Sequence, residues 1–119
     1  MRASRGEIKI EEILTAAGLS FKEEFTFGDL ISGNGRPLRF DFCVFDDDGN
    51  IDFLIEYQGI QHYQAKSKFG GVSGLKKQQY NDKKKKIYCA KNELNLVIIP
   101  YWEEDMINYD YIMKKAYGW

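Results

Sequence analysis

Two acids and one histidine carry the chemistry open to this sequence. Asp41 sits in an otherwise apolar run, RFDFCVF, and Glu56 in another, FLIEYQG. Burying a carboxylate is costly unless a partner or a metal offsets the loss of water. Arg36 or Arg39 offers Asp41 a purely structural partner, but a second carboxylate is also in reach. The segment DDDGN at 46–50 is a strong turn signal, so strand 51–58 returns as a hairpin beside strand 38–45. That pairing sets Asp41 opposite Ile55 or Glu56. Two such acids, with a backbone carbonyl such as that of Tyr57, suit Mg2+ or Mn2+, which take oxygen ligands and leave room for water and phosphate. An ion held so polarises a phosphodiester and activates the attacking water. Gln58 shares the face of Glu56. His62 is the only histidine, just past the strand after Gly59. As a neutral imidazole it can take a proton from that water or give one to the leaving oxygen.

The elements that position these residues read as α-β-β-β-α-β-α. Ser4 to Glu7 has the S-x-x-E form of a capping box and opens a helix to about residue 17, with Ile10, Ile13, Leu14 and Ala17 on one stripe. Residues 21–27 alternate as an edge strand, and 28–37 read as a turn region. In strand 38–45, Leu38, Phe40, Phe42 and Val44 point one way, and Arg39, Asp41, Cys43 and Phe45 the other. In strand 51–58, Ile51, Phe53, Ile55 and Tyr57 oppose Asp52, Leu54, Glu56 and Gln58. Residues 64–74 are polar and glycine-containing and read as a mobile loop. A helix over 75–92, a buried strand over 95–100 and a last helix over 108–117 follow. The expected fold is an α/β sandwich in one domain spanning 1–119, with a small mixed sheet flanked by helices.

Composition bounds the rest. The chain is 44% hydrophobic and 29% charged, enough for one core under a soluble surface, and no apolar run is long enough for a membrane span. The basic start soon turns charged and helical, unlike a signal peptide. Cys43 and Cys89 fall inside elements and read as reduced core residues, which favours the cytoplasm. The net charge is −1, yet residues 64–91 hold nine lysines against one acid, Asp82. A segregated basic stretch attracts a phosphate backbone even in a near-neutral chain. Lys66, Lys68, Lys76, Lys77, Lys83 and Lys84 are the candidate contacts to double-stranded DNA.

The element order, with Asp41 and the E-x-Q of Glu56 to Gln58, resembles the PD-(D/E)XK nuclease fold. The fuller pattern is similar to its EDxHD subgroup, the phage homing endonucleases related to very-short-patch mismatch repair endonucleases. By position the resemblance assigns the E, D, H and D of that subgroup to Glu7, Asp41, His62 and Asp82. It implies an αβββαβ core and a magnesium-dependent endodeoxyribonuclease. On the residues alone, Glu7 is equally the capping partner of Ser4, and Asp82 equally a surface pair with Lys86. Gln58 stands where the superfamily usually carries lysine, which shifts the proton chemistry onto His62. The zinc ligands of the mismatch repair enzymes have no counterpart. A structure-selective nuclease of the junction-resolvase kind, and a nuclease-like fold that only binds DNA or protein, are the competing expectations.

Overall fold

The computed structural model describes residues 4–118. Its order is α1 (Arg5–Ala16), β1 (Ser20–Ile31), β2 (Pro37–Phe45), β3 (Ile51–Gln58), α2 (Gly71–Lys91), β4 (Leu96–Pro100) and α3 (Tyr109–Tyr117). Short 3-10 turns lie at Ile60–His62, Ser67–Phe69 and Tyr101–Met106. The strands form one four-stranded mixed sheet in the order β1-β2-β3-β4, antiparallel except for the parallel β3–β4 pair. The protein is thus mixed α/β, its sheet flanked by helices. No helix among the described residues is long and apolar enough to cross a membrane.

Each face of the sheet has its own core. Ile10 and Leu14 of α1 and Ile112, Met113 and Ala116 of α3 pack over Phe42, Val44, Phe53, Ile55, Tyr57, Val97 and Ile99. On the other face Leu30, Leu38, Phe40, Cys43 and Leu54 meet Cys89 of α2. Both cysteines are buried and free, as their positions suggested.

The clean alternation expected of β2 fails at the candidate site. Phe42 and Val44 join the α1/α3 core, but Leu38 and Phe40 join Cys43 on the α2 side. The β1–β2 pairs run to Glu23↔Phe42 and resume at Phe25↔Phe40. Between them, opposite Asp41, Glu24 holds a positive φ of 52°, a conformation that turns a strand out of its regular pleat. The side chains therefore change faces on crossing Asp41. Ile51 likewise falls on the α2 side, beyond the register shift at Val44/Phe45.

Residues 64–74 are not an open loop. Gly70 and Gly71 take φ of 90° and 62° and lead straight into α2. A Cβ at Gly74 would stand 1.9 Å from the Phe69 carbonyl oxygen, so the chain folds back closely on itself here. Glycines that read as a hinge build a tight entry to the helix.

Candidate active site

The β2–β3 backbone pairing runs as far as Phe42↔Ile55. One step further the two acids take over from the ladder. Asp41 N–H donates to Glu56 Oε1 at 3.1 Å, and Tyr57 N–H donates to Asp41 Oδ2 at 2.7 Å. Each carboxylate thereby satisfies a backbone donor that the separating strands leave behind. Tyr57 meets the acid pair through its N–H.

A cleft of about 380 Å³ opens over this pair, and Glu7, Glu24, Asp41, Glu56, His62 and Lys85 are among its walls. Glu7 arrives from the first turn of α1. Ser4 Oγ caps that turn, accepting from the Glu7 N–H at 3.2 Å and donating to Glu7 Oε1 at 3.0 Å. The turn can sit so deep because residue 6 is glycine, since a Cβ there would come within 2.3 Å of the Tyr57 ring. Glu104 in the turn after β4 holds the same corner. It accepts from Tyr57 Oη at 3.1 Å, takes Lys9 Nζ on its carbonyl at 3.0 Å and lies 3.7 Å from Arg5.

His62 is buried, and its Nδ1 lies 2.8 Å from Asp82 Oδ2. A carboxylate only accepts, so Nδ1 carries the proton and Nε2 is left as the basic nitrogen. Gln78 Nε2 donates to the other Asp82 oxygen at 3.3 Å. The one acid of the lysine-rich segment thus turns inward to orient the histidine, and does not serve as a surface partner of Lys86.

Lys85 escaped sequence reasoning. It is buried, with Nζ 3.0 Å from Glu56 Oε2 and 5.5 Å from the Phe40 ring centroid. The signal for it was helical phase: Gln78, Asp82, Lys85 and Cys89 recur at steps of four, three and four, which is one face of α2. Gln58, by contrast, is not a wall of the acid cleft. Its side-chain Oε1 accepts from Tyr63 Oη at 2.6 Å, and it lines a neighbouring pocket with His62, Asp82, Lys83 and Lys86.

Electrostatics sharpen the picture. Burial above all pushes the Glu56 carboxyl up, Asp41 adds to the rise, and Lys85 opposes it. Burial likewise raises Asp41, with Glu7 adding and the Tyr57 N–H opposing. Burial resists the ionisation of both acids, a cost that a nearby cation would relieve. No group of three or more His, Cys, Asp or Glu among the described residues is placed to hold a metal ion. Mg2+ asks for less, usually one or two carboxylates with water and substrate phosphate completing the shell. Each carboxylate oxygen has a second lone pair beyond the bonds described. Asp41 and Glu56 fit such an ion.

The candidate DNA-binding lysines separate. Lys68, Lys76, Lys77 and Lys83 are exposed. Lys66 is half-buried beside its bridge to Gly71. Lys84 bonds the Ile31 carbonyl and lies over the Tyr80 ring, tying α2 to the end of β1.

No family model matches the chain, and no solved structure does. It is similar to the uncharacterized protein 094L of Frog virus 3 (isolate Goorha), at 42% identity over 77 residues, covering 63% of this chain and 47% of the relative. It is also similar to the uncharacterized protein 307L of Invertebrate iridescent virus 6, at 33% identity over 66 residues, 55% of this chain and 34% of that protein. The chain spans about half the length of the first and about a third of the second. Neither name assigns an activity.

Proposed function

We propose that this chain is a metal-dependent DNA endonuclease domain of the PD-(D/E)XK kind, nearest to the EDxHD subgroup. The observation that carries the reading is the meeting of Glu7, Asp41, Glu56 and His62 in one cleft, with Asp82 on His62 Nδ1. The meander β1-β2-β3 followed by a helix and a parallel β4 supports the same fold reading.

Asp41 and Glu56 would hold Mg2+ or Mn2+, which supplies charge stabilisation to a phosphodiester in the transition state. His62 takes the proton of the attacking water on Nε2 as the water oxygen bonds to phosphorus, and the ester oxygen departs as its own bond to phosphorus breaks, taking a proton from solvent. Asp82 keeps the imidazole in the tautomer that can do so and steadies the imidazolium that results. Lys85 holds the Glu56 carboxylate in one orientation and lowers the cost of its charge, a positioning role.

Supercoiled plasmid incubated with and without Mg2+ or Mn2+, beside Asp41→Asn and His62→Ala, tests the reading. The parent should nick only with metal, Asp41→Asn should not nick, and His62→Ala should slow by roughly 10²–10⁴-fold, the usual worth of a general base. Metal-dependent nicking that survives Asp41→Asn places the activity elsewhere.

A further inference from the structure

A second cleft, of about 480 Å³, lies between the tip of the β1–β2 hairpin and α2. Ser32, Asn34, Arg36, Lys77 and Asn81 are among its walls, and Pro37, Leu38 and Arg39 line both it and the acid cleft, so the two are continuous. Charge changes sign across that shared edge. Glu7, Glu24, Asp41 and Glu56 face the first cleft, whereas the second is lined by three cations and no acid. Arg39 is engaged by Glu24 at 3.0 Å. Arg36 and Lys77 are exposed, and no salt bridge among the described residues engages either.

We propose that this second cleft is the track for the sugar–phosphate backbone of the DNA strand next to the phosphate being cut. The inference rests on the nuclease reading and adds where the substrate lies. Cations alternate here with hydroxyl and amide groups, the donors that phosphate oxygens accept from. Pro37 and Leu38 are the only apolar residues among the walls and none is aromatic. A base would find no stacking surface, so the backbone is what this chemistry recognises.

The walls are also fixed in advance. Ser32 N–H donates to the Arg36 carbonyl at 2.8 Å, and Arg36 N–H donates to Asn34 Oδ1 at 3.2 Å, closing the hairpin tip. Lys84 Nζ on the Ile31 carbonyl and Tyr88 Oη on Asp29 Oδ1, at 2.6 Å, hold the end of β1 against α2. Lys84 therefore builds the wall, while Lys77, about two turns before it, is left to meet phosphate.

The test measures binding of a fluorescent duplex oligonucleotide in EDTA across a salt series, with metal-dependent cutting of the same duplex alongside. Arg36→Gln/Lys77→Gln should weaken binding and flatten the salt slope by about 2, since each phosphate contact contributes about 0.9. Asn81→Lys, which adds a cation to the same wall, should steepen the slope by about 0.9. If the parent binds and cuts while both variants keep its slope, the track is overturned and the nuclease reading stands. If the parent neither binds nor cuts duplex with any divalent ion, the nuclease reading falls and the track with it.

Discussion

The two faces of the sheet are covered by unlike means. On one, α1 and α3 bring Ile10, Leu14, Ile112 and Met113 onto Phe42, Phe53, Ile55 and Ile99, an apolar contact throughout. On the other, α2 turns Gln78, Asp82, Lys85 and Cys89 inward, and its buried residues are Lys85 and Cys89. Such a helix gains little from hydrophobic burial. An ion pair, Lys85–Glu56 at 3.0 Å, and a hydrogen bond, His62–Asp82 at 2.8 Å, both shielded from water, attach it to the strand end and the turn that follows. Buried pairs seldom outperform well-packed apolar groups. The apolar face supplies stability, and the polar face gives some of it up to hold charged groups in place.

The contrast can be broken from either side. Phe53→Ala removes a wholly buried ring from the apolar face and should cost about 3–5 kcal/mol in urea unfolding. Lys85→Met on the polar face leaves Glu56 buried without its counter-ion and should cost up to about 3–5 kcal/mol above pH 8, where Glu56 ionises in the parent. That cost has a pH signature. The Glu56 carboxyl is already pushed up in the fold and rises further without Lys85. A raised acid is penalised only where it must ionise, so the loss relative to the parent should fade as pH falls through the parent's raised Glu56 value of about 8. A deficit that persists unchanged at pH 3 would mean that Lys85 matters for packing alone.

Smaller effects sharpen the comparison. Gly6→Ala forces a methyl group against the Tyr57 ring and should cost about 1–3 kcal/mol, the usual range for overpacking, as α1 lifts. Because Glu7 lifts with it, cutting should suffer beyond what the lost stability explains. Asp41→Asn should act in the opposite direction on stability. Burial and Glu7 push the Asp41 carboxyl up, so its ionised form burdens the fold above its raised pKa and not below the unfolded value. The variant should be more stable than the parent at pH 8, by up to about 3 kcal/mol for a shift from 3.8 to about 6, and match it near pH 3. Equal melting at both values would show that the charge is already compensated.

Much of this was legible in the sequence. The DDDGN turn and the alternating runs either side of it give β2, β3 and the meeting of Asp41 with Glu56, because a hairpin register follows from its turn. The capping signal at Ser4 and the apolar stripe of α1 likewise place Glu7. Other features were hidden for physical reasons. Alternation assumes an unbroken pleat, and the positive φ at Glu24 breaks it opposite Asp41, so Leu38 and Phe40 were assigned to the wrong face. Among four consecutive lysines at 83–86, composition cannot say which faces inward. Only the phase set by Asp82 and Cys89 picks out Lys85. Gly70 and Gly71 read as slack in a chain that uses their left-handed conformations to start a helix.

The double variant Glu56→Gln/Lys85→Met tests most directly whether the polar face serves chemistry rather than stability. It removes the buried ion pair while keeping its volume and the Asp41 N–H acceptor. Melting and metal-dependent plasmid nicking should be measured on the same preparation at neutral pH. The account predicts a protein that melts at or above the parent temperature and no longer cuts. A double variant that cuts like the parent would contradict it.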